Sequence, residues 1–328
     1  MVSRTLTHPN SRGGLRRMDP ARDLGRIADL LEIAFAEELA GGGQAILRDL
    51  HVLGYMGPLL WVISRSAPFL GDLLSGFVWE EDGHIVGNAT VSRARNRSAW
   101  IISNVAVLPA YRGRGIGRRL MEAAIEHARS HGGRQVVLQV RRDNEPAKRL
   151  YQSLGFHTVG VVHELHVASA QERPWFSPPG VAVRLPDPNH WRAARRLALE
   201  AVPQAVQIFQ PVRSAEFRTP PLPGLAEWAR YFLLGYRRQQ WWAEYQGHLV
   251  GLLTAERHRG THPSTFEIIL PPEGRTLVEA SLLRPALRFL RGRAVRVQVL
   301  DEYHAAIRLL REAGFTERRV LDTMLLEL

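Results

Sequence analysis

The hydrophobic positions of this chain change their spacing in a regular order. Residues 101–107 form an apolar, β-branched run that is typical of a buried strand. After residue 117 the apolar positions recur at helical spacing, at Leu120, Ala124, Ile125 and Ala128. Further upstream, a turn at Gly83 separates two strand-like runs and predicts a hairpin. Strands that alternate with helices in this way predict an α/β fold.

The same order of signals occurs twice along the chain. Residues 83–87, with the sequence GHIVG, return as residues 247–251, with the sequence GHLVG. The spaced Ala, Leu and Gly-Phe positions of residues 147–156 return in residues 306–315. The offset between matching segments falls steadily, which indicates a repeated architecture with shorter connections in the second copy.

A proline-rich segment separates the two copies. Residues 173–180 read R-P-W-F-S-P-P-G, and their three prolines exclude a continuous helix or a central strand. We therefore predict a first domain over residues 1–172 and a second domain over residues 173–328.

Composition and charge narrow the classes of function. The chain has 328 residues, a 45% hydrophobic content and a formal net charge of +11. Lys148 is the sole lysine, so the charge indicates a general preference for arginine before it indicates a polyanionic partner. The arginines are spread over both halves and no nucleic-acid motif is present, so a nucleic-acid partner is the weakest hypothesis.

The chain contains no cysteine, which excludes disulfides, thiolate metal sites and a covalent acyl-cysteine intermediate. Residues 1–14 lack an apolar core of signal-peptide length and are predicted to be a disordered lead. The most apolar stretch, residues 53–79, carries Arg65 and Asp72 and is interrupted by Gly and Pro, so it is not expected to span a bilayer. We expect a cytoplasmic protein without a membrane partner.

The stretch Y-R-G-R-G-I-G-R-R-L-M, residues 111–121, lies where the buried strand gives way to the helix. Free backbone N–H groups and the positive end of the helix dipole meet at such a junction, and glycines allow an anion to approach closely. A phosphate group is the expected ligand. For an isolated stretch of this kind, an ordinary turn with surface arginines would be the simpler interpretation.

Further matches at fixed spacing resemble the GNAT family of acetyltransferases. Val105-Ala106-Val107 followed by the R-x-x-G-x-G pattern of residues 112–117 is similar to the family's acetyl-CoA motif, and residues 144–156 are similar to its next helix motif. The resemblance implies two GNAT-like domains in tandem, each with a mixed, mostly antiparallel central sheet flanked by helices. The pattern is neither a dinucleotide-binding fingerprint nor a P-loop, because no acidic residue follows at the right distance and no Lys-Ser/Thr follows the last glycine.

The resemblance also implies roles for individual residues, with acetyl-CoA as the acyl donor and no metal. Val105 and Tyr151 would be catalytic, the first through its backbone N–H and the second as proton donor to the departing thiolate. The implied cofactor-binding residues are Val105, Val107, Arg112, Gly113, Arg114, Gly115, Ile116, Gly117, Arg118 and Asn144. Taken alone, Asn144 would be a helix N-cap and Tyr151 a half-buried aromatic.

The general base is not evident from the sequence. Histone-type members of the family carry a glutamate four residues before the V-A-V segment, where this chain has Ile101. Other candidates are Glu37, Glu38, His163 and Glu164, and each is more readily explained as a solvated or structural residue. A water relay is the remaining alternative.

The second copy keeps the apolar and glycine positions that indicate the fold, but it lacks the residues that would bind a cofactor or transfer a proton. Residues 270–276 read L-P-P-E-G-R-T, with a single glycine, while Tyr303 and Leu310 take the places of Asn144 and Tyr151. We predict a non-catalytic companion domain. The tandem arrangement resembles the mycothiol synthase family, in which the competent copy is the second rather than the first.

The predicted activity is transfer of an acetyl group from acetyl-CoA to a primary amine by direct attack. The acceptor is a small molecule or a protein amine, and the oligomeric state is not indicated. The alternative is a regulatory protein that binds acyl-CoA without turnover. Tyr151 favours the enzyme, because a sensor has no need of an acid for a thiolate.

Overall fold

The computed structural model describes residues 13–35, 75–94, 98–209, 211–218, 224, 228, 231, 233, 235–260 and 262–328. The candidate bases Glu37 and Glu38 and residues 53–74 of the apolar stretch lie outside the described residues. The chain divides into two compact units that interleave in sequence. Unit 1 comprises the chain up to residue 138 together with residues 149–157 and 325–328, and unit 2 comprises residues 139–148 and 158–324.

Unit 1 contains a mixed sheet in the order β1-β2-β3-β4-β5. Its strands are β1 (Gly13–Arg17), β2 (Gly76–Glu81), β3 (His84–Arg93), β4 (Ala99–Val107) and the start of β5 (Gln135–Arg141). Its helices are α1 (Pro20–Ala34), α2 (Ile116–Ser130) and the second half of α3 (Glu145–Ser153). The first four strands pair antiparallel, and β4 pairs parallel with β5.

The two faces of the unit 1 sheet are covered by different helices. Ile85 packs with residues of α1, whereas its neighbour Val86 packs against Ile116 and Leu120 of α2. Successive side chains of a strand point to opposite faces, so α1 and α2 lie on opposite sides of the sheet. The helical spacing predicted after residue 117 is confirmed, because Leu120, Ala124, Ile125 and Ala128 are all buried.

The turns and the first strand test two further expectations. Asp82 and Gly83 both have positive φ, at 49° and 77°, and they connect β2 to β3 as the predicted hairpin. Positive φ at both central residues is the hairpin turn whose twist matches the flanking strands. The prediction of a disordered lead over residues 1–14 was wrong at its end, because Gly13 and Gly14 pair with Glu81 and Glu80 of β2.

A buried ion pair attaches α1 to this sheet. The fully buried Asp23 accepts hydrogen bonds from Arg16 at 2.6 and 2.9 Å and from the Asp19 backbone N–H at 2.8 Å. Burial opposes ionisation of Asp23, but the hydrogen bonds from Arg16 and Asp19 outweigh it and lower the pKa of this carboxyl. Arg16 also binds Glu80 of β2 at 2.6 Å, so one guanidinium joins β1, β2 and α1.

In the described part of unit 2, the strands follow the order β12-β6-β11-β10-β9-β8-β7. They are β6 (His157–Val167), β7 (Val181–Arg184), β8 (Tyr236–Tyr245), β9 (His248–His258), β10 (Ser264–Ile269), β11 (Val295–Leu300) and β12 (Thr316–Glu327). The helices whose bounds lie within the described residues are α4 (Trp191–Ala201), α5 (Gln204–Phe209), α6 (Glu279–Phe289) and α7 (His304–Glu312). β10 and β11 pair parallel, and β7, β8, β9 and β10 pair antiparallel in succession.

Each unit includes a piece of chain from the other half of the sequence. In unit 2, β6 pairs antiparallel with β11 from Val162↔Leu300 to Val167↔Val295. In unit 1, the Leu328 N–H donates to the Arg134 carbonyl at 2.9 Å. Residues 158–172, which the sequence analysis assigns to the first domain, therefore cluster with unit 2. The boundary after residue 172 remains a prediction about the repeat.

The observed elements confirm the predicted fold class, which is α/β with mixed, mostly antiparallel sheets and helices in a repeated order. The proline-rich segment over residues 173–180 forms neither helix nor strand, as expected. Within the described ranges, no helix combines the length and the apolar character needed to cross a membrane.

Candidate functional site

The end of β4 separates from its parallel neighbour. The ladder between β4 and β5 consists of three pairs, from Ala99↔Gln135 to Ile101↔Val137. Beyond Ile101, β4 continues to Val107 beside β3. The Leu108 N–H donates to the Val86 carbonyl of β3 at 2.9 Å, so the Val107 N–H, one residue earlier, points to the opposite edge. That edge is where an extended ligand could pair with β4 as an added strand.

A β-bulge shapes β4 just before the V-A-V segment ends. The register with β3 shifts between Thr90↔Ser103 and Asn88↔Ala106, which leaves one extra residue on β4. Asn104 lies in this bulge and has a φ of 51°, a conformation that asparagine tolerates better than most residues. The bulge therefore redirects the backbone at Val105, the residue assigned to the acetyl carbonyl.

The fully buried Asn88 of β3 holds the bulge in place. Its Nδ2 donates to the Asn104 carbonyl at 2.8 Å, and its Oδ1 has no hydrogen-bond partner among the described residues. Neither Asn88 nor Asn104 is among the site residues predicted from the sequence. The available signal was an asparagine directly after G-H-I-V-G in a strand-like run, because asparagine is depleted in strands.

The glycine-rich loop after β4 presents a row of unpaired backbone amides. Gly113 and Gly115 have φ values of 78° and 77°, and a Cβ at either position would meet nothing within 4 Å. The N-cap of α2 is Gly115, which offers no side chain to the first turn of the helix. None of the backbone N–H groups of residues 113–118 donates a hydrogen bond to any described residue, whereas Arg119 N–H already bonds to Gly115 O at 3.1 Å.

The arginines around this loop are exposed, and several are held in place. Arg112 Nε donates to the Val107 carbonyl at 3.1 Å, which ties the loop back to the end of β4. Arg118 donates to Ser153 Oγ at 2.6 Å. Arg114 lies 3.4 Å from a Glu81 oxygen. The loop therefore combines unpaired amides, a helix N-terminus and positive charge, which together favour an anion.

Gly117, the third glycine of the motif, lies against α3. A Cβ there would be 3.5 Å from Leu150 Cδ2 and 3.9 Å from Val107 Cγ2, which are ordinary contacts. Packing within the protein therefore does not require a glycine at this position. Close approach of a ligand to the backbone is a reason for glycine that the protein's own packing does not provide.

Tyr151 lies in the second half of α3 and is buried, with 6% of its surface exposed. Its ring packs 6.1 Å from the ring of Phe156. Burial raises the pKa of Tyr151 to about 12, so the hydroxyl keeps its proton at neutral pH. No hydrogen bond joins this hydroxyl to another residue in the described part of the chain.

Asn144 is exposed and acts as the N-cap of α3, since its Oδ1 accepts a hydrogen bond from the Ala147 N–H at 3.2 Å. It clusters with unit 2, whereas Tyr151 clusters with unit 1. The cap accounts for an asparagine at this position, and the contact between Asn144 and the cofactor stays a prediction.

Two of the candidate bases are engaged in ion pairs within unit 2. His163 has one ring nitrogen 2.7 Å from Glu317 and the other 2.7 Å from Asp301. Glu164 is buried and accepts two hydrogen bonds from Arg319, with Arg296 and Arg318 within 4 Å. Both ring nitrogens of His163 are thus hydrogen-bonded, and the buried Glu164 carboxylate is surrounded by three arginines, although its Oε1 accepts no hydrogen bond from a described residue. Neither side chain has the surroundings of a poised base.

In the second copy, the loop over residues 270–276 satisfies its own amides. The Thr276 N–H donates to the buried Glu279 carboxylate at 2.6 Å, at the start of α6. The neighbouring N–H groups donate to backbone carbonyls of the same loop, at Gly274, Arg275, Leu277 and Val278. A Cβ at Gly274 would lie 1.8 Å from the Val250 carbonyl oxygen, so the loop lies directly against β9. A side-chain carboxylate of the protein already fills the anion position.

The edge of β10 is also occupied. Tyr303 is fully buried, and its hydroxyl accepts a hydrogen bond from the Leu270 N–H at 3.2 Å. Ile269 pairs with Leu252 as Ala106 pairs with Asn88 in the first copy, so Leu270 is the counterpart of Val107. β10 pairs with β9 without a register shift, so the bulge of β4 has no counterpart. With these contacts, the second copy lacks the open strand edge and the bulge that the first copy has next to its glycine-rich loop.

Known proteins resemble this chain in a sequence segment and in the overall fold. Residues 53–156 match the model of the acetyltransferase (GNAT) family. Over the full length, the chain superposes on a GCN5-related N-acetyltransferase from Sphaerobacter thermophilus with a TM-score of 0.63 and 21% identity, covering 98% of this chain and 97% of the other. A tandem GNAT protein from the clavulanic acid biosynthesis pathway gives a TM-score of 0.53 and 17% identity over 96% and 98% of the two chains. Residues 53–156 therefore belong to a GNAT acetyltransferase domain, and the full chain has a fold similar to that of tandem GNAT proteins.

Two curated relatives illustrate the sequence similarity. The N-alpha-acetyltransferase RimI of Mycobacterium tuberculosis is 43% identical over 81 residues, which are 24% of this chain and 49% of RimI. A mycothiol acetyltransferase of Cellulomonas flavigena is 26% identical over 287 residues, 81% of this chain and 78% of the relative. The similarity to RimI and to four other curated relatives spans between 24% and 54% of their lengths.

The unpaired amides of residues 113–118 predict the effect of a charge in the loop. Gly115→Glu should abolish acetyl-CoA binding, because the added carboxylate would occupy the anion position and repel the pyrophosphate. Calorimetric titration measures the affinity, and cooperative thermal unfolding checks the fold.

Gly83→Glu is the matched control for this substitution. Gly83 has the same φ of 77° as Gly115 and equally open surroundings. Gly83→Glu therefore adds the same charge and a similar backbone strain, but in the β2–β3 turn. Unchanged acetyl-CoA affinity in a folded Gly115→Glu protein would contradict the phosphate cradle.

The contrast between the two loops predicts the stoichiometry of binding. We expect one equivalent of acetyl-CoA per chain, because Glu279 and Tyr303 occupy the corresponding positions of the second copy. Calorimetry of the full chain measures this number. Two equal sites would show that the second loop opens to admit the cofactor.

Proposed function

We propose that the site in unit 1 transfers an acetyl group from acetyl-CoA to a primary amine by direct attack. The observation that carries this proposal is the run of unpaired amides over residues 113–118, next to the splayed end of β4. The match of residues 53–156 to the GNAT acetyltransferase family supports acetyl-CoA as the donor. The alternative is a regulatory protein that binds acyl-CoA and has no turnover.

The glycine-rich loop holds the pyrophosphate of the cofactor in this proposal. The unpaired amides donate to the phosphate oxygens, and the N-terminus of α2 adds the favourable end of its dipole. Arg112, Arg114 and Arg118 supply positive charge around the loop. The backbone of Val107 pairs with the pantetheine arm, because its N–H points to the edge that β5 has left.

The bulge gives Val105 its proposed role. A backbone N–H that points at the carbonyl oxygen of the acetyl group stabilises the negative charge that develops when the amine attacks. Asn88 and Asn104 hold the bulge and are therefore positioning residues. They act through the direction of the Val105 backbone and need not touch the substrate.

Tyr151 is the proposed acid for the leaving thiolate. An ordinary thiol has a pKa of about 8.5, well below the value of about 12 that burial gives Tyr151. Proton transfer to a solvated thiolate would therefore be uphill. A thiolate released beside the same buried side chain is itself desolvated, which raises its pKa towards that of the tyrosine and favours the transfer.

Direct attack by the amine needs no covalent acyl-cysteine intermediate, and its bonds and protons balance. The neutral amine nitrogen forms a bond to the acetyl carbon, and the carbon–sulfur bond breaks. The amine loses one proton to water, Tyr151 gives one proton to the sulfur, and solvent then restores the tyrosine. Among the described candidates, His163 and Glu164 are both held by charged side chains, and Glu37 and Glu38 lie outside the described residues. A water relay is the base that we propose.

For the acceptor we propose a chemical class only, a primary amine. RimI is named an N-alpha-acetyltransferase, which suggests a protein N-terminus. The relative from Cellulomonas flavigena is named a mycothiol acetyltransferase and matches most of the chain, which suggests a small-molecule acceptor. Both kinds of amine therefore belong in a substrate screen.

An assay for free thiol separates the enzyme from the sensor. The full chain, acetyl-CoA and a panel of peptide and small-molecule amines should release coenzyme A thiol with at least one amine, and mass spectrometry should find that amine acetylated. Binding of acetyl-CoA without thiol release across the panel would favour the regulatory alternative.

Tyr151→Phe should keep acetyl-CoA affinity but lower turnover by about 10²-fold or more, the scale of general acid catalysis. The ring still packs against Phe156, so only the proton is lost. Affinity and steady-state rate are measured on the same protein, with Tyr245→Phe as a control that removes a hydroxyl in unit 2. Equal rates for Tyr151→Phe and the wild type would mean that Tyr151 only packs.

A further inference from the structure

A second cationic feature lies in unit 2, at the open end of the β8–β9 hairpin, furthest from its turn. A cavity of about 400 Å³ is lined there by Tyr231, Arg237, Arg257, His258, Arg259, Gly260 and Arg293. We call it the arginine cavity. Its described lining contains four guanidinium groups and no carboxylate.

The arginine cavity is separate from the loop that corresponds to the cofactor cradle. That loop follows the carboxyl end of β10, whereas Arg293 precedes Val295, the first residue of the parallel strand β11. The cavity therefore lies at the opposite end of the parallel strand pair. Neither the acetyl-transfer chemistry nor the loss of the second cradle accounts for it.

Two of the arginines oppose each other in a way that disfavours folding. Arg237 of β8 is paired directly with Arg257 of β9, and both side chains are exposed. Like charges at directly opposite positions destabilise an antiparallel pair. The next pair in the same ladder, Arg238↔Glu256, has opposite charges. The like-charge pair is thus a local exception in this hairpin.

Neutral groups are the observed partners of these guanidiniums. Arg237 and Arg259 lie 4.6 and 4.7 Å from the centre of the Tyr231 ring. Arg293 donates to the carbonyls of His258 and Gly260, each at 2.7 Å. Within the described residues, no carboxylate lies within 4 Å of the four guanidiniums. The nearest acidic contact is that of Glu256 with His258 Nε2, at 3.8 Å.

We propose that the arginine cavity binds the phosphoryl or pyrophosphoryl group of a small phosphorylated molecule. Guanidinium groups bind such oxyanions through paired hydrogen bonds, and several converging arginines compensate a multiple negative charge. A bound oxyanion would also remove the repulsion between Arg237 and Arg257. The cavity has the size of a small-molecule pocket and the arginines converge on it, unlike the extended stripe that a nucleic-acid strand would need.

Calorimetric titration with inorganic pyrophosphate tests this proposal on the full chain. The Gly115→Glu background removes the cofactor cradle as a competing anion site. In that background, Arg237→Gln with Arg257→Gln removes two charges from the cavity. The matched control, Arg196→Gln with Arg308→Gln, removes two charges from exposed positions of unit 2 outside the cavity.

The unsubstituted cavity should bind one equivalent of pyrophosphate. The cavity variant should lose about tenfold in affinity per arginine, whereas the control should keep the affinity. Without pyrophosphate, the melting temperature of the cavity variant should equal or exceed that of the control, because a like-charge pair has been removed. In the otherwise wild-type chain, the cavity variant should lose one bound equivalent relative to the control, which gives a second test independent of Gly115→Glu.

Three results would overturn the proposal. The first is a lack of saturable pyrophosphate binding in either background. The second is an equal loss of pyrophosphate affinity in the cavity variant and the control, which would indicate that the net charge of the protein determines binding. The third is tighter binding of a short oligothymidylate than of pyrophosphate, with a steep dependence on salt, which would indicate a nucleic-acid surface instead.

Discussion

Backbone amides at the start of a helix need acceptors, and this requirement organises both copies of the fold. A helix leaves its first N–H groups without partners inside the helix, and buried polar groups without partners are unfavourable. At α2 the described residues offer no acceptor to residues 113–118. At α6 the Glu279 carboxylate accepts from the Thr276 N–H, and the Gly274 carbonyl accepts from the N–H groups of Leu277 and Val278. The loop of the first copy is thus open to an external anion, whereas the loop of the second copy is partly satisfied by groups of the protein.

The other features of the unit 1 site place a free strand edge next to these unpaired amides. A ligand anchored at the start of α2 is useful for chemistry only if β4 offers a free edge beside it. The ladder with β5 ends at Ile101, and the bulge at Asn104 redirects the backbone at Val105. Asn88 stabilises that bulge from inside the sheet. In the second copy a tyrosine hydroxyl takes the hydrogen bond of the equivalent edge, and the strand is regular.

The second copy retains a structural function and has its own polar chemistry. Its sheet includes β6 from the first half of the sequence, and the ion pairs of His163 and Glu164 stabilise that arrangement. The arginine cavity lies at the other end of its parallel strands and has no counterpart in the acetyl-transfer proposal. The prediction that this copy binds no acetyl-CoA is therefore separate from the proposal that it binds a phosphorylated molecule at the arginine cavity.

The sequence by itself determined the features that depend on neighbouring residues. The hairpin at Gly83, the helical spacing after residue 117 and the glycine-rich junction follow from local backbone preferences and periodicity, so these predictions could be made without coordinates. The tertiary structure decided which strands meet. Four features depend on contacts between residues that are distant in sequence or set by the local fold. They are the hydrogen bond from Asn88 to the bulge, the Glu279 carboxylate at the Thr276 amide, the Tyr303 hydroxyl at Leu270 and the pairing of β6 in unit 2. Local sequence does not encode such contacts, because hydrogen-bond partners across a sheet are selected by the whole fold.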